Sequence, residues 1–485
     1  MCKIMVSMAL GVAALHLVLC GSSGVKADDL TSAMAKAYNT NPRLLAERAR
    51  LGAANEQVPQ ALSGWRPTVN VTGRFNHEYS DSVTAFTFSA GENTINSQSF
   101  SLELSQPLYR GGRTDNEIKS AEERVLASRA GLVAVEQQVL LETASAYFDV
   151  VRDQQVTQLN TNNEQVLMSQ LQATQDRFEV GELTRTDVSQ AEARLANAVA
   201  FRIEAEGNLA ISRSAYESAV GEFPGTLDFP PAETMPEVLD PKSSQEMAQV
   251  RNPNLVAAVH LERAALYDIS AAAGSLLPEV SLDSSIARAI DPNTFTDERD
   301  SFQVGITGRV PLYQSGAEYA RVRELRMIAV QRRQESDQQR RIVRDTLFRS
   351  WENLVTARAR ILSFEASVSA NEIALDGVNQ EADVGARTIL DVLDAEQELF
   401  EAKVNLVRVK RDEVVALYNL LAISGGMTAR GLGLPVQHYD AGYHYSLVRD
   451  KWYGVNSNTS GGSLLDFNFD SLDLLEGNSL LDWMK

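Results

Sequence analysis

Two related stretches of sequence, one in each half of the chain, decide the fold. Residues 180–192 read VGELTRTDVSQAE, and residues 384–396 read VGARTILDVLDAE. The stretches lie 204 positions apart and share a Val-Gly pair, a threonine, an Asp-Val pair and an Ala-Glu pair at matching positions. A recurrence of this length at a fixed spacing indicates that the chain is internally duplicated.

Other short motifs place the boundaries of the two repeats. The sequence PLY at residues 107–109 recurs at residues 311–313, again 204 positions later. An Asn-Pro pair at residues 41–42 recurs at residues 252–253, and such a pair is typical of a helix N-cap followed by proline at the first helical position. The predicted units are a first repeat over residues 28–223, a linker over residues 224–251 and a second repeat over residues 252–425.

Long helical tracts follow the PLY motif in both repeats. Residues 108–223 contain no proline, and a single helix is predicted from Arg113 to Glu179, roughly 100 Å long at the usual helical rise. Apolar residues at heptad spacing indicate coiled-coil seams. These residues are Leu126, Val133, Leu140 and Tyr147 in the first repeat and Leu347, Leu354, Ile361, Val368 and Leu375 in the second. Gly181 and Gly385 are predicted to turn each tract into a hairpin of two antiparallel helices.

Apolar and polar residues alternate between the Asn-Pro pair and the PLY motif in each repeat. The apolar positions in the first repeat are Val69, Val71, Phe75, Tyr79, Phe100, Leu102 and Leu104. The pattern predicts a β-hairpin over residues 67–107 and another over residues 278–311, with strands of about ten residues and, in the first repeat, a polar loop between Tyr79 and Phe100.

Strands of this length can cross a bilayer when tilted, and the alternative is a soluble hairpin with one wet face. Four strands are too few for a closed barrel, because the smallest spanning barrels use about eight. The membrane interpretation therefore requires several subunits to share one barrel.

The two ends of the chain differ from the repeats. Residues 1–27 combine Lys3, an apolar run and a small-residue cleavage site, and they read as a secretory signal. Lipidation at Cys20 is a less favoured alternative. Both cysteines, Cys2 and Cys20, lie in this segment, so the exported chain is expected to contain no disulfide. Residues 426–485 are rich in Gly, Ser, Asn and Asp and are predicted to form a polar, partly disordered periplasmic tail.

Composition and motifs argue against several classes of function. The chain carries 64 acidic and 45 basic residues, a net charge of −19, which does not suit nucleic-acid binding. The sequence contains no P-loop and no His-Glu-x-x-His pair. We expect no enzymatic activity, no metal and no cofactor, so a partner protein must supply the energy for any transport.

These features together resemble the TolC family of outer-membrane export ducts. The resemblance covers residues 29–425 and rests on the duplicated order of elements, on PLYRGG and PLYQSG, and on VGARTILDVLDAEQ. It implies a mainly α fold with a small β part, in which three subunits form an α-helical tunnel across the periplasm. The tunnel would be topped by a shared twelve-stranded β-barrel in the outer membrane of a Gram-negative bacterium.

The resemblance also implies partners and a function. The homotrimer would bind a periplasmic adaptor protein and, through it, an inner-membrane ABC transporter or a proton-driven pump. We expect type I protein secretion, with multidrug efflux as the alternative. A secreted coiled-coil structural protein is a more remote alternative, because a stalk needs no strands with apolar faces of this length.

Two aspartates are implied to shape the periplasmic entrance of the tunnel. Asp391 and Asp394 align with the family's entrance constriction, where three subunits would bring six carboxylates into one ring. Residues three apart on a helix lie on nearly the same face, so we expect this ring to select cations. Repulsion among the carboxylates is expected to raise some of their pKa values above about 4.

A simpler hypothesis accounts for Asp391 alone. Thr388 and Asp391 fit the N-cap and third position of a helix, where a carboxylate is favourable. This hypothesis does not explain Asp394, whose counterpart in the first repeat is Gln190.

The closed entrance is implied to have a clamp. Arg387 aligns with an arginine that, in the family, bonds toward the positions of Thr186 and Asp187 on a neighbouring hairpin. A second clamp residue of the family is a tyrosine, whereas this chain has Ala382 at that position.

Overall fold

The computed structural model describes residues 29–84, 89–231, 235–236, 240–293 and 296–455. The predicted signal over residues 1–27 and the last part of the predicted tail, residues 456–485, lie outside the described residues.

Each repeat contributes short helices, a β-hairpin and a pair of long helices. The first repeat contains α1 (Leu30–Thr40), α2 (Pro42–Asn55), α3 (Gln57–Leu62), β1 (Thr68–Thr84), β2 (Ser89–Arg110), α4 (Arg113–Glu179) and α5 (Arg185–Val220). The second contains α6 (Pro241–Arg251), α7 (Pro253–Gly274), β3 (Glu279–Asn293), β4 (Thr296–Arg309), α8 (Ala317–Asp383) and α9 (Ile389–Ile423). A short helix, α10 (Tyr443–Val448), follows the second repeat.

The two predicted hairpins join into one antiparallel sheet. Its strand order is β1-β2-β3-β4, so β1 and β4 are the edges. The strands are longer than the predicted ten residues, at 17, 22, 15 and 14 residues. The predicted polar loop between Tyr79 and Phe100 is wrong for most of its length, since Ser82 pairs with Gly91. Backbone pairing needs no apolar side chains, so the ladder continues beyond the apolar part of the hairpin.

One face of the sheet is apolar and exposed, as the alternation predicts. Its exposed residues include Val69, Val71, Phe75, Tyr79, Phe100, Leu102, Ile286, Phe302, Val304 and Ile306. A contiguous apolar surface of this kind marks a face that contacts lipid or another chain. None of the helices in the described ranges is long and apolar enough to span a membrane.

The long helices match the prediction closely. α4 begins and ends at the predicted residues, and α4 and α8 are both 67 residues long. Each lies along the second helix of its own hairpin, α4 against α5 and α8 against α9. The heptad residues Leu140, Tyr147 and Leu354 are buried, but Leu126 is exposed, so the seams are not continuous along the helices.

The largest core lies midway along α4, beside the C-terminal ends of α5 and α9, where the two repeats meet. Phe148 of α4, Tyr216 of α5 and Tyr418 of α9 are buried there, with the rings of Phe148 and Tyr418 6.2 Å apart. Tyr38 of α1 belongs to the same core. Aromatic side chains bury large areas, so this core fixes the position of one helical pair against the other.

The segment predicted as a linker, residues 224–251, ends in a helix. Asp240 caps α6 by accepting a hydrogen bond from the Ser243 backbone N–H at 3.3 Å, and Pro241 occupies the first helical position. Ala248 packs against Val343 of α8. α6 is the counterpart of α1, so the second repeat begins at Pro241 and not at Asn252. The Asp-Pro pair is itself a helix start signal, like the Asn-Pro pair that begins α7.

Residues 426–455 of the predicted tail are ordered, which corrects the prediction for this part of the chain. Met427, Leu434 and Val448 are buried against the first repeat. The Ala429 backbone N–H donates to Glu136 Oε1 at 2.7 Å, and Arg66 Nη1 donates to the Lys451 carbonyl at 2.7 Å. Other apolar residues of this segment, such as Tyr453 and Val455, are exposed, so composition alone does not reveal which of them are buried.

Candidate functional site at the helix tips

Both helical hairpins turn at the predicted glycines. Gly181 has φ +83° and Gly385 has φ +77°, in the left-handed region that glycine adopts without steric cost. A Cβ at either glycine would meet nothing within 4 Å. The turns therefore require glycine for its backbone conformation and not for space.

A capping box begins the second helix of each hairpin. The Thr388 backbone N–H and hydroxyl donate to Asp391 Oδ2 at 2.9 and 2.7 Å, and the Asp391 N–H donates back to the hydroxyl at 3.3 Å. Thr184 and Asp187 form the same arrangement in the first repeat. The capping hypothesis for Asp391 is therefore confirmed.

The capping bonds also set the ionisation of the two aspartates. The hydroxyl and then the backbone N–H of Thr388 stabilise the charged carboxylate and lower the pKa of Asp391 below its ordinary value. The pKa of Asp187 is lowered by the backbone and side chain of Thr184 in the same way. Within the chain, the direction for Asp391 is opposite to the increase expected for a ring of repelling carboxylates.

Asp394 has a partner that sequence reasoning missed. Arg194 Nη2 of α5 donates to Asp394 Oδ1 of α9 at 2.6 Å, and the Asp394 side chain is half exposed. The two predicted ring aspartates therefore make different contacts, one within its own helix and one to the other hairpin. Arg194 follows Gln190 by one helical turn, and Gln190 is the repeat counterpart of Asp394. The sequence signal for this ion pair was that Arg194 is the basic residue nearest to Gln190.

Arg387 bonds within its own hairpin. Its Nε donates to Glu381 Oε2 at 2.8 Å, across the turn from α8 to α9. Thr186 is exposed at the other tip, beside the capping carboxylate of Asp187. The clamp from Arg387 to Thr186 and Asp187 of a neighbouring hairpin stays a prediction.

Apolar packing joins the two hairpins of one chain near their tips. Leu393 of α9 is only 2% exposed and packs with Leu167 of α4 and Ala198 of α5. Leu195 and Ile389 cover the edges of this cluster. Across the described part of the chain, no three His, Cys, Asp or Glu side chains lie together in a way that could hold a metal ion.

Comparison with known proteins agrees with the fold and the repeats. The family model described as outer membrane efflux protein matches residues 33–222 and 245–426. The outer membrane efflux protein BepC of Brucella suis is 34% identical over 443 residues, which cover 91% of this chain and 94% of BepC. The outer membrane protein TolC of Vibrio cholerae is 29% identical over 419 residues, covering 84% of this chain and 93% of TolC.

Two further proteins are similar at lower identity. The alkaline protease secretion protein AprF of Pseudomonas aeruginosa is 25% identical over 356 residues, covering 72% of this chain and 74% of AprF. The crystal structure of the CmeC outer membrane channel of Campylobacter jejuni shares the fold, with a TM-score of 0.74 at 15% identity. That alignment covers 87% of this chain and 89% of the CmeC chain.

The chain belongs to the outer membrane efflux protein family, and the resemblance to TolC is confirmed. It is an outer-membrane channel protein that extends into the periplasm, of the type that serves efflux or secretion. The second matched segment begins at residue 245, inside α6, in agreement with a second repeat that starts before Asn252.

Proposed function

We propose that this chain is the trimeric exit duct of an export complex. The observation that supports this best is the four-stranded sheet, in which no described residue of the chain pairs with the outer sides of the edge strands β1 and β4. Open edges require a cover, and a head-to-tail contact between β4 of one subunit and β1 of the next provides it. Three such contacts close a ring of twelve strands, which exceeds the smallest spanning barrels of about eight strands.

The helices supply the periplasmic part of the duct. α4 and α8 begin next to the sheet and run in the same direction for 67 residues each, roughly 100 Å. Their tips would meet a periplasmic adaptor, which connects the duct to an inner-membrane transporter. The transporter supplies the energy, and the duct needs only a lumen and an entrance.

The proposed entrance uses the tip residues. Asp391 and Asp394 would line the constriction of the trimer, and Arg387 would clamp it to Thr186 and Asp187 of the neighbouring hairpin. Family membership and the position of these residues beside the turns support the assignment. Reversal potentials in a salt gradient test it: replacing both aspartates with alanine should reduce cation selectivity and abolish block by trivalent cations. Unchanged selectivity and block would remove both residues from the constriction.

The cargo is proposed to be a secreted polypeptide delivered by an ABC transporter. AprF, a relative named for protease secretion, supports this assignment. Small-molecule efflux through a proton-driven pump is the second candidate, and the name of BepC as an efflux protein favours it.

Two experiments test the duct and its cargo separately. Cross-linking of the detergent-extracted protein should trap three subunits, and the trimer should form channels in planar bilayers. A stable channel-forming monomer would contradict the proposal. Deletion of the gene should remove polypeptides from the culture medium while leaving antibiotic susceptibility nearly unchanged. Increased susceptibility with an unchanged set of secreted proteins would establish the efflux alternative instead.

A further inference from the structure

The two hairpins of one chain are joined near their tips by an ion pair next to a small apolar cluster. The ion pair links Arg194 of α5 to Asp394 of α9 at 2.6 Å, and the adjacent residue Leu393 is almost fully buried. Arg194 lies nine residues after the start of α5, about 14 Å along the helix. These contacts therefore lie close to the place where the hairpins would have to separate for an entrance to widen.

We propose that Arg194, Asp394 and Leu393 form an intrachain latch that holds the two hairpins of each subunit together in the closed state. The proposal rests on the proposed function as a duct and deepens it, because it assigns the closed state of the entrance to contacts within one subunit. Arg194 acts as a positioning residue for α9, whose first turns carry Asp391 and Asp394.

The chemistry of the two contacts fits a latch that can be released. Leu393 contacts Leu167 of the first hairpin's other helix as well as Ala198, so separation of the hairpins exposes an apolar side chain to water. The Arg194 and Asp394 side chains are 37% and 54% exposed, so their ion pair contributes modestly. An exposed pair of this kind shifts an equilibrium by up to about fivefold, a size suited to a contact that opens during transport.

The latch also changes the charge that the entrance presents. A carboxylate paired with a guanidinium in its own chain contributes little field to the lumen, because the two charges nearly cancel at a distance. Asp391 accepts hydrogen bonds from the neutral groups of Thr388, and the Arg387 guanidinium that also favours its charge is itself bonded to Glu381. Opening of the latch in the trimer would then free three Asp394 carboxylates from their arginine partners and increase the negative charge at the entrance.

Charge reversal of the ion pair tests the latch. Arg194→Asp places two carboxylates together, and we expect the full-length trimer carrying it to show a higher single-channel conductance in planar bilayers than the unmodified trimer. The exchanged pair, Arg194→Asp with Asp394→Arg, re-forms the ion pair and is judged by the distance measurement below, because Asp394 also lines the proposed constriction. Arg185→Asp is the matched control, because it makes the same charge change at the exposed first residue of α5 and should leave conductance unchanged.

A second measurement does not depend on channel activity. Spin labels on cysteines placed at the exposed positions Val180 and Val384 report the distances between hairpin tips in the detergent-solubilised trimer. We expect Arg194→Asp to lengthen and broaden these distances and the exchanged pair to restore them.

The outcomes separate the latch from the duct. Conductance and distances identical to the unmodified protein in Arg194→Asp would overturn the latch. So would an exchanged pair that stays as open as the single variant, since the effect would then follow from charge and not from pairing. Absence of channels in every variant would contradict the duct, while the distance measurement would still decide whether the pair holds the hairpins together.

Discussion

The junction between β2 and α4 provides a sharp test of how the two repeats differ. Gly111, in the PLYRGG motif, has φ +63°, and a Cβ there would lie 2.3 Å from the Gly274 carbonyl oxygen and 2.8 Å from Leu277 Cβ. Its counterpart in the PLYQSG motif is Ser315, which has φ +54° and is accommodated in the second repeat. Gly111→Ser therefore introduces into the first repeat the residue that the second repeat already carries.

The expected cost has two parts. A left-handed conformation costs a residue with a Cβ about 1–2 kcal/mol. A contact at 2.3 Å with backbone forces a shift of packed structure, which adds about 1–3 kcal/mol for overpacking. Gly111→Ser should therefore destabilise the chain by about 2–5 kcal/mol in total.

Gly112→Ser is the matched control. Gly112 has φ +72°, but the nearest atom to a Cβ there is Asn116 Nδ2 at 3.8 Å, so only the conformational part of about 1–2 kcal/mol applies. Thermal unfolding of the detergent-solubilised trimer, at one scan rate, should place Gly111→Ser clearly below Gly112→Ser. Equal midpoints for the two variants would refute the argument that close backbone contact, and not backbone conformation, requires glycine at this junction.

Three further predictions follow from contacts described above. Because the pKa of Asp391 is lowered in the folded protein, its contribution to stability is present above its ordinary pKa of about 4 and is lost as the pH falls through the lower folded pKa. Asp391→Asn should therefore reduce the loss of thermal stability between pH 5 and pH 3. A pH profile of thermal stability identical to that of the unmodified protein would contradict this prediction. Glu136→Ala should make residues 427–455 susceptible to limited proteolysis, because the Ala429 N–H loses its hydrogen-bond acceptor. Glu136→Gln should keep them protected, since the amide oxygen of glutamine still accepts this hydrogen bond. Equal cleavage of the two variants would show that this hydrogen bond does not hold the segment in place. A short epitope inserted between Thr84, the last residue of β1, and Ser89, the first residue of β2, should label intact cells, because the long helices leave the opposite end of the sheet toward the periplasm. Labelling only after the outer membrane is breached would show that this end of the sheet faces the periplasm instead.

Periodicity made most of the fold predictable. The bounds of α4 follow from a proline-free tract between a Gly-Gly pair and a Val-Gly pair, and both signals are local. The capping of Asp391 was equally accessible, since a capping box depends on residues three apart. The start of the second repeat was missed because Asp240-Pro241 lies in a stretch without strong apolar periodicity, although the pair itself is a helix signal.

Contacts between distant parts of the chain were not predictable in the same way. Arg194 and Asp394 are 200 residues apart, and only the packing of α5 beside α9 brings them together. The segment after α9 was predicted to be partly disordered because of its composition, whereas Met427 and Leu434 are buried in sites formed by the first repeat. Residues of this kind have no local pattern, so their role depends on surfaces formed elsewhere in the fold.

The equal lengths of α4 and α8 constrain how the gene can change. Each added residue would lower one hairpin tip by about 1.5 Å and rotate everything beyond it by about 100° around the helix axis. A single insertion in α4 would therefore shift and rotate the capping box at the start of α5 relative to the one at the start of α9. Insertions or deletions in these helices are tolerable only when the partner helix and the other repeat change by the same amount. Single insertions and deletions are therefore restricted to the strand ends and the loops, while the long helices change by substitution.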